Sequence, residues 1–207
     1  MLIIEGVVGV GKSSLMNYLV EEGFTPFPEP VVNNPILDRF YYDRKRYAFP
    51  LQVFFLAKRF EHLTAAAQVE DAVMDRSIYG DGIFAAMHRE TGTMEAEEYG
   101  VYEQLYKVMI DEVKKPDLLV YLQVSVDVAM KRIQKRGRDF EQSVERSYWE
   151  KLNQKYEEYF SSYDQSPILI INVDHLDFES SVDDRIYILM RIKEALEKIS
   201  SPTKESI

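Results

Sequence analysis

Four short runs of this chain are apolar at every position rather than at every second one: Leu2-Ile3-Ile4 ahead of Glu5, Ala72-Val73-Met74 ahead of Asp75, Leu118-Leu119-Val120-Tyr121-Leu122, and Ile168-Leu169-Ile170-Ile171. A strand with one wet face alternates, whereas one covered on both faces does not, so the pattern predicts buried parallel strands. A further short strand is expected to end at Phe27-Pro28. Helical apolar spacing marks Lys12 to Leu19, Pro50 to Ala67, Glu95 to Lys114, Val126 to Lys135, Arg146 to Tyr163 and Ser181 to Ile199. Strands that alternate with helices require right-handed crossovers, which place helices on both faces of one sheet. The expected fold is therefore α/β, with a five-stranded parallel sheet between helical layers.

No repeat, low-complexity stretch or linker divides the 207 residues, which suit one domain over 1–207. Residues 200–207 are polar, contain a proline and read as a frayed tail. Hydrophobic residues make up 46% and charged residues 29%, a globular balance. The net charge of −10 opposes a nucleic-acid polymer as partner, so a phosphate site has to be local. With no cysteine, disulfides, thiolate-held zinc and thiol nucleophiles are excluded. The apolar start is too short for a signal peptide and no run is long enough to span a bilayer, so a cytoplasmic protein without membrane contact is expected.

Gly6-Val7-Val8-Gly9-Val10-Gly11-Lys12-Ser13 fits G-x-x-x-x-G-K-[ST] and lies between a predicted strand and a predicted helix, where the mechanism needs it. Glycines let backbone N–H groups close on phosphate oxygens, and the helix start with Ser14 adds favourable partial charge. Lys12 is expected on the β- and γ-phosphates of ATP and Ser13 on Mg²⁺. A plain turn from strand to helix would not need Lys-Ser at that point.

A second basic element is Lys131-Arg132-Ile133-Gln134-Lys135-Arg136-Gly137-Arg138, five positive charges in eight residues. Arg132 and Arg136 are four apart on a helix and can face one anion, while Gly137 lets the chain turn away. That suits a lid over a triphosphate, spanning about residues 131–141. A solvated helix end with cations against the C-terminal dipole would carry the same charges.

The guanine-reading Asn-Lys-x-Asp and the switch Asp-x-x-Gly of GTPases are missing, and Met74-Asp75-Arg76-Ser77 lacks the paired acids of a motor ATPase. Small-molecule kinase chemistry is left. Across nearly the whole chain, the ordered set Gly6 to Ser13, Glu29-Pro30-Val31, Tyr41 ahead of Gln52, Arg59, Asp75-Arg76-Ser77-Ile78-Tyr79 with Asp81, then Arg132, Arg136-Gly137-Arg138 and Glu141, resembles the deoxyribonucleoside kinases. Tyr47-Ala48-Phe49-Pro50-Leu51-Gln52 and Gln134-Lys135-Arg136-Gly137-Arg138 look like the bacterial deoxyadenosine and deoxyguanosine branch.

The resemblance implies that Glu29 is the base for a 5′-hydroxyl, that Arg76 steadies it beside the phosphates, and that Tyr41 and Glu141 take the 3′-hydroxyl. Tyr42 stands next to Tyr41 as a second phenol. A carboxylate at a strand tip needs a partner, which Mg²⁺ shared with Ser13 would give Asp75. Gln52 and Arg59 lie two helical turns apart and, with Asp81, are expected to read a purine or cytosine. Relatives often carry a stacking Phe four residues after this acid; here Phe84 comes three after and Ala85 four after. ATP donates with Arg132, Arg136 and Arg138 around it, and deoxyadenosine or deoxyguanosine accepts, with deoxycytidine as a further candidate.

Two other readings share the loop. A monophosphate kinase such as a thymidylate kinase would need a cation where Glu29 stands, and a non-catalytic regulator would have no use for Lys12, Ser13, Asp75 and Glu29 together. His62, His88 and His175 form no triad or metal spacing and read as ordinary polar positions. Val53-Phe54-Phe55-Leu56 and Tyr102-Leu105-Tyr106-Met109 have core or subunit-interface spacing. The resemblance implies a homodimer.

Overall fold

A computed structural model of the chain describes residues 1–29, 34–138, 141 and 144–201. Pro30 and Val31 of the Glu29 element, Asp139 and Phe140 of the lid segment, and residues 202–207 of the expected tail lie outside the described residues. Five parallel strands form one sheet in the order β2-β3-β1-β4-β5: β1 (Leu2–Glu5), β2 (Thr25–Phe27), β3 (Ala72–Asp75), β4 (Leu118–Gln123) and β5 (Ile168–Asn172). β1 and β3 are buried at every position, and β4 at all but its last, as unbroken apolar runs require. Pro26, which cannot donate to a ladder, is tolerated because β2 is an edge strand.

β1 is hydrogen-bonded to β3 on one side and to β4 on the other, and the chain builds β2 and β3 on the first side before crossing to β4 and β5 on the second. Ligands in open α/β sheets bind in the crevice beyond the strand ends at such a reversal. The eight helices among the described residues are α1 (Lys12–Glu21), α2 (Leu37–Tyr42), α3 (Arg44–Ala66), α4 (Ile78–Glu90), α5 (Ala96–Glu112), α6 (Val126–Arg136), α7 (Arg146–Ser161) and α8 (Val182–Ser200). No helix among the described residues is long and apolar enough to cross a membrane.

One helical expectation needs correction, and two helices were not expected. α3 starts at Arg44 rather than at Pro50, because the Asp43 carboxylate accepts from the Arg46 N–H at 3.2 Å and caps the helix ahead of the proline. Pro50 then lies inside the helix, where it forfeits one ladder bond, while Ala48, Leu51, Phe55, Leu56 and Leu63 bury one continuous face. α4 was not evident from the pattern, since Gly80 and Gly82 interrupt its apolar spacing; Ser77 caps it by accepting from Tyr79 N–H. α2 is too short, at six residues, to show a period.

Candidate active site

Beyond the ends of β1, β2 and β3 lies a cavity of about 950 Å³, walled by the glycine loop, Glu29, α2, α3, α4, α6 and the segment after β5. Its size is that of a small-ligand site. At one end the loop turns through glycines with positive φ, 83° at Gly9 and 103° at Gly11. A Cβ on Gly9 would lie 2.8 Å from the Ala129 carbonyl oxygen, and one on Gly11 would lie 2.5 Å from the Phe178 ring. Both positions thus demand glycine for space as well as for conformation.

Lys12 Nζ donates to the carbonyls of Gly6 at 3.0 Å and Val7 at 2.9 Å, so its ammonium lies folded over the loop. Burial, aided by Arg76 and opposed by Asp75, pushes its pKa down to about 8. Ser13 Oγ donates to Asp75 Oδ2 at 2.6 Å. Asp75 is buried, and its Oδ1 has no hydrogen-bond partner among the described residues. A hydroxyl and a buried carboxylate with a spare oxygen fit a hard divalent cation. No cluster of three or more His, Cys, Asp or Glu able to hold a metal occurs among the described residues, so such a cation would keep water and phosphate as its other ligands. Of the remaining loop residues, Val8, Gly9, Val10 and Ser14 line the cavity, and the Ser14 hydroxyl donates to Glu179 Oε1 at 2.7 Å.

Across the cavity, Glu29 follows β2; its Oε1 accepts from Arg59 Nη2 at 2.8 Å and is ion-paired with Arg76, whose Nε lies 3.0 Å away. Burial works to raise this carboxyl, but Arg76, Arg59 and Lys12 together hold it below its ordinary value of 4.5. Glu29 is therefore an ionised acceptor at neutral pH. Arg76 lies one residue past β3 with φ 65°, so strand alternation does not govern it as expected; this turn, not the pleat, separates its side chain from Asp75. Its guanidinium also donates to the Tyr156 hydroxyl and lies 5.2 Å from the Phe84 ring centre.

The residues expected on the acceptor side come from three helices. Tyr41 on α2 lines the cavity, whereas Tyr42 is 94% exposed, which decides between the two phenols. Gln52 and Arg59 on α3 both line it, and Gln52 Oε1 is buried without a hydrogen-bond partner among the described residues. Arg59 pairs with both Glu29 and Asp81 and packs 4.7 Å over Phe55. Asp81 is wholly buried behind Arg59 and is not part of the cavity wall. It is the ion-pair partner of Arg59, which does line the cavity. Phe84 lines the wall, and Ala85 is buried.

Over the opening, Arg132 and Arg136 do not face one anion in this arrangement. Arg132 donates to the carbonyls of Val10, Val173 and Leu176 at 3.1, 2.9 and 2.8 Å, bracing the glycine loop against the segment after β5. Arg136 Nη2 lies 2.6 Å from Glu141, and Arg138 lies 3.6 Å from the same carboxylate. Arg136, Arg138 and Glu141 all line the cavity.

Two buried polar residues were not foreseen. His88 is 2% exposed, packs edge-on against Phe40 at 5.3 Å, and is held neutral by burial with its pKa near 4, so it is no ordinary polar position. His62 and His175 are not buried. Glu5, read only as a strand end, is fully buried, with its carboxyl raised by burial against the pull of Arg76. An acid closing an apolar run and a histidine four residues after Phe84 were the available signals.

A family model described as deoxynucleoside kinase matches residues 2–197. A deoxyguanosine kinase of Lactobacillus acidophilus is 40% identical over 96% of this chain and 91% of its own length. A deoxyadenosine kinase of the same organism is 38% identical over 97% and 98%. The solved structure of deoxyadenosine kinase from M. mycoides with products dCMP and a flexible dCDP bound superposes with a TM-score of 0.81 at 31% identity, covering 94% of this chain and 98% of that one. Neither a monophosphate kinase nor a non-catalytic regulator is needed to account for the site. With its glycine loop, its Ser13–Asp75 hydrogen bond and Glu29 between two arginines, the chain belongs to the deoxynucleoside kinase family, the ATP-dependent phosphotransferases that act on deoxynucleosides.

Proposed function

We propose that the chain transfers the γ-phosphoryl of Mg²⁺-bound ATP to the 5′-hydroxyl of a purine deoxynucleoside, deoxyadenosine or deoxyguanosine, with deoxycytidine as a further acceptor, and so serves purine salvage in the cytoplasm. One domain over 1–207 suffices, with residues 131–141 as its lid. The observation that carries this reading is Glu29 Oε1 between Arg59 at 2.8 Å and Arg76 at 3.0 Å, in the same cavity as the glycine loop. A primary alcohol needs alignment on phosphorus and an acceptor for its proton.

In this scheme Glu29 takes the proton as the sugar oxygen bonds the γ-phosphorus and the bond to the β-phosphate oxygen breaks, releasing ADP. Lys12 lies against the β- and γ-phosphates, the loop N–H groups cradle them, and Ser13 and Asp75 would hold Mg²⁺, which would neutralise phosphate charge. Arg76, Arg136 and Arg138 meet charge on the transferring group, while Arg132 keeps the loop in shape. Tyr41 and Glu141 bind the 3′-hydroxyl; since Glu141 is paired with Arg136, an arriving sugar reaches the lid through that carboxylate. Gln52 and Arg59, with Asp81 behind, read the base, as an amide and a guanidinium can. Val101, Leu105 and Val108, exposed along α5, support a homodimer through that helix.

The test is an ADP-release assay with ATP and Mg²⁺ against each of the four deoxynucleosides and each 5′-monophosphate. Turnover with deoxyadenosine or deoxyguanosine is expected; turnover with monophosphates alone would reject the reading.

A further inference from the structure

Glu5 is the last residue of β1 and immediately precedes the glycine loop, and its side chain is completely buried. The transfer scheme gives it no task. Burying a carboxylate is costly unless hydrogen bonds or opposite charge offset the lost hydration. Glu5 Oε1 accepts from both the N–H and the hydroxyl of Ser77, each at 2.8 Å. Its Oε2 lies against Gly80, where an added Cβ would come within 2.8 Å of it. Ser77 alone would cap α4, so the cap does not account for the acid beneath it.

The residue before Ser77 does. Arg76 has φ 65°, a conformation that side chains other than glycine avoid, and its N–H donates to the Ile4 carbonyl at 2.9 Å. The end of β1 thus grips this turn on both sides of Arg76: Ile4 before it, Glu5 after it. From that turn departs the guanidinium that contacts Glu29 and the Tyr156 hydroxyl. We infer that Glu5 is a positioning residue: by holding Ser77 it fixes the left-handed turn at Arg76, and with it the orientation of the Arg76 guanidinium on Glu29. The strand end that carries the phosphate loop thereby also sets the reacting carboxylate. This inference rests on the proposed role of Glu29.

Steady-state kinetics of Glu5→Ala, Glu5→Gln and Glu29→Gln with ATP, Mg²⁺ and the best deoxynucleoside test it. Glu5→Ala is expected to lower kcat about 10- to 100-fold with both KM values within about threefold, as small misplacements of reacting groups do. Glu5→Gln, whose amide oxygen can accept both Ser77 bonds, is expected to recover most of that loss. In an Arg76→Lys background the Ala substitution is expected to add less than about threefold, since both act through one group. Unchanged kcat per folded enzyme, a Gln variant no better than Ala, or additive losses with Arg76→Lys would each overturn the inference. Should Glu5→Ala not fold, Ser77→Ala gives the same readout: a kcat loss absorbed by Arg76→Lys supports the inference, and an unchanged kcat sinks it. A Glu29→Gln enzyme with normal turnover would instead remove the reading of Glu29 on which it rests.

Discussion

The two ends of the cavity are built on different principles. The end proposed for phosphate comes from one stretch of chain, Gly6 to Ser14, of which Val8 to Ser14 line the cavity and whose conformation depends on glycines with positive φ. The end proposed for the acceptor comes from four separated elements, with Glu29 after β2, Tyr41 on α2, Gln52 and Arg59 on α3, and Phe84 and His88 on α4, and it presents side chains. A triphosphate presents the same oxygens whatever base it carries, so main-chain N–H groups suffice for it. A nucleobase differs in its edge, and only side chains can read that difference. Changes at the first end should therefore cost rate for every acceptor alike, whereas at the second end, Glu29 apart, changes should redirect choice.

The largest effect is expected at Lys12. Lys12→Ala should lower kcat/KM by about 10³-fold for every acceptor alike, as loss of charge stabilisation at a reacting phosphate does, with an unchanged far-ultraviolet circular dichroism spectrum. A loss confined to one deoxynucleoside would contradict the division. Next comes a double substitution, Arg59→Met with Asp81→Leu, which keeps the buried space filled without leaving Asp81 unpaired. It should move the ratio of purine to thymidine turnover by about tenfold or more, as lost hydrogen-bond reading does. An unaltered ratio would place base choice elsewhere on the wall.

Smaller effects follow from pH. The Lys12 ammonium, at about 8, should give kcat/KM for ATP an alkaline limb near that pH, because the cation that meets the phosphates is lost above it. Glu29, held ionised, should place the acid limb of kcat below 4.5, and Arg59→Ala should move that limb upward by removing one of the charges that depress it. The stability that Glu29 gains from its arginines is present above the unfolded carboxyl pKa and is lost as pH falls through the lower folded value. Smallest of all is Asp43→Ala at the cap of α3. About 1 kcal/mol should be lost in urea unfolding, with acceptor preference intact, since the cap supports the helix and not the ligand.

The same division governs what could be read from sequence. The glycine loop was legible because its chemistry is contiguous and glycine is required at Gly9 and Gly11 by backbone and space alike. The strands were legible because burial on both faces leaves uninterrupted apolar runs. α4 was not, since Gly80 accommodates the Glu5 carboxylate and so breaks the helical pattern for a tertiary reason. Gln52, Arg59 and Asp81 were identified as a set, yet their layering, with Asp81 behind Arg59, arises where α3 and α4 pack together. Arg132 illustrates the limit: helical spacing put it beside Arg136, but three carbonyls from distant segments claim its guanidinium. His88 became a wall residue only through Phe40, far away in sequence.

Beneath both ends lies one arrangement, an ionised carboxylate braced by two arginines opposite a glycine-lined phosphate loop. Single-turnover transfer by Glu29→Gln, with saturating ATP, Mg²⁺ and deoxynucleoside, measures its worth. The account predicts a fall in rate of about 10²-fold or more with binding of both ligands retained, in line with loss of a general base. A rate within about threefold of the unmodified enzyme would contradict it.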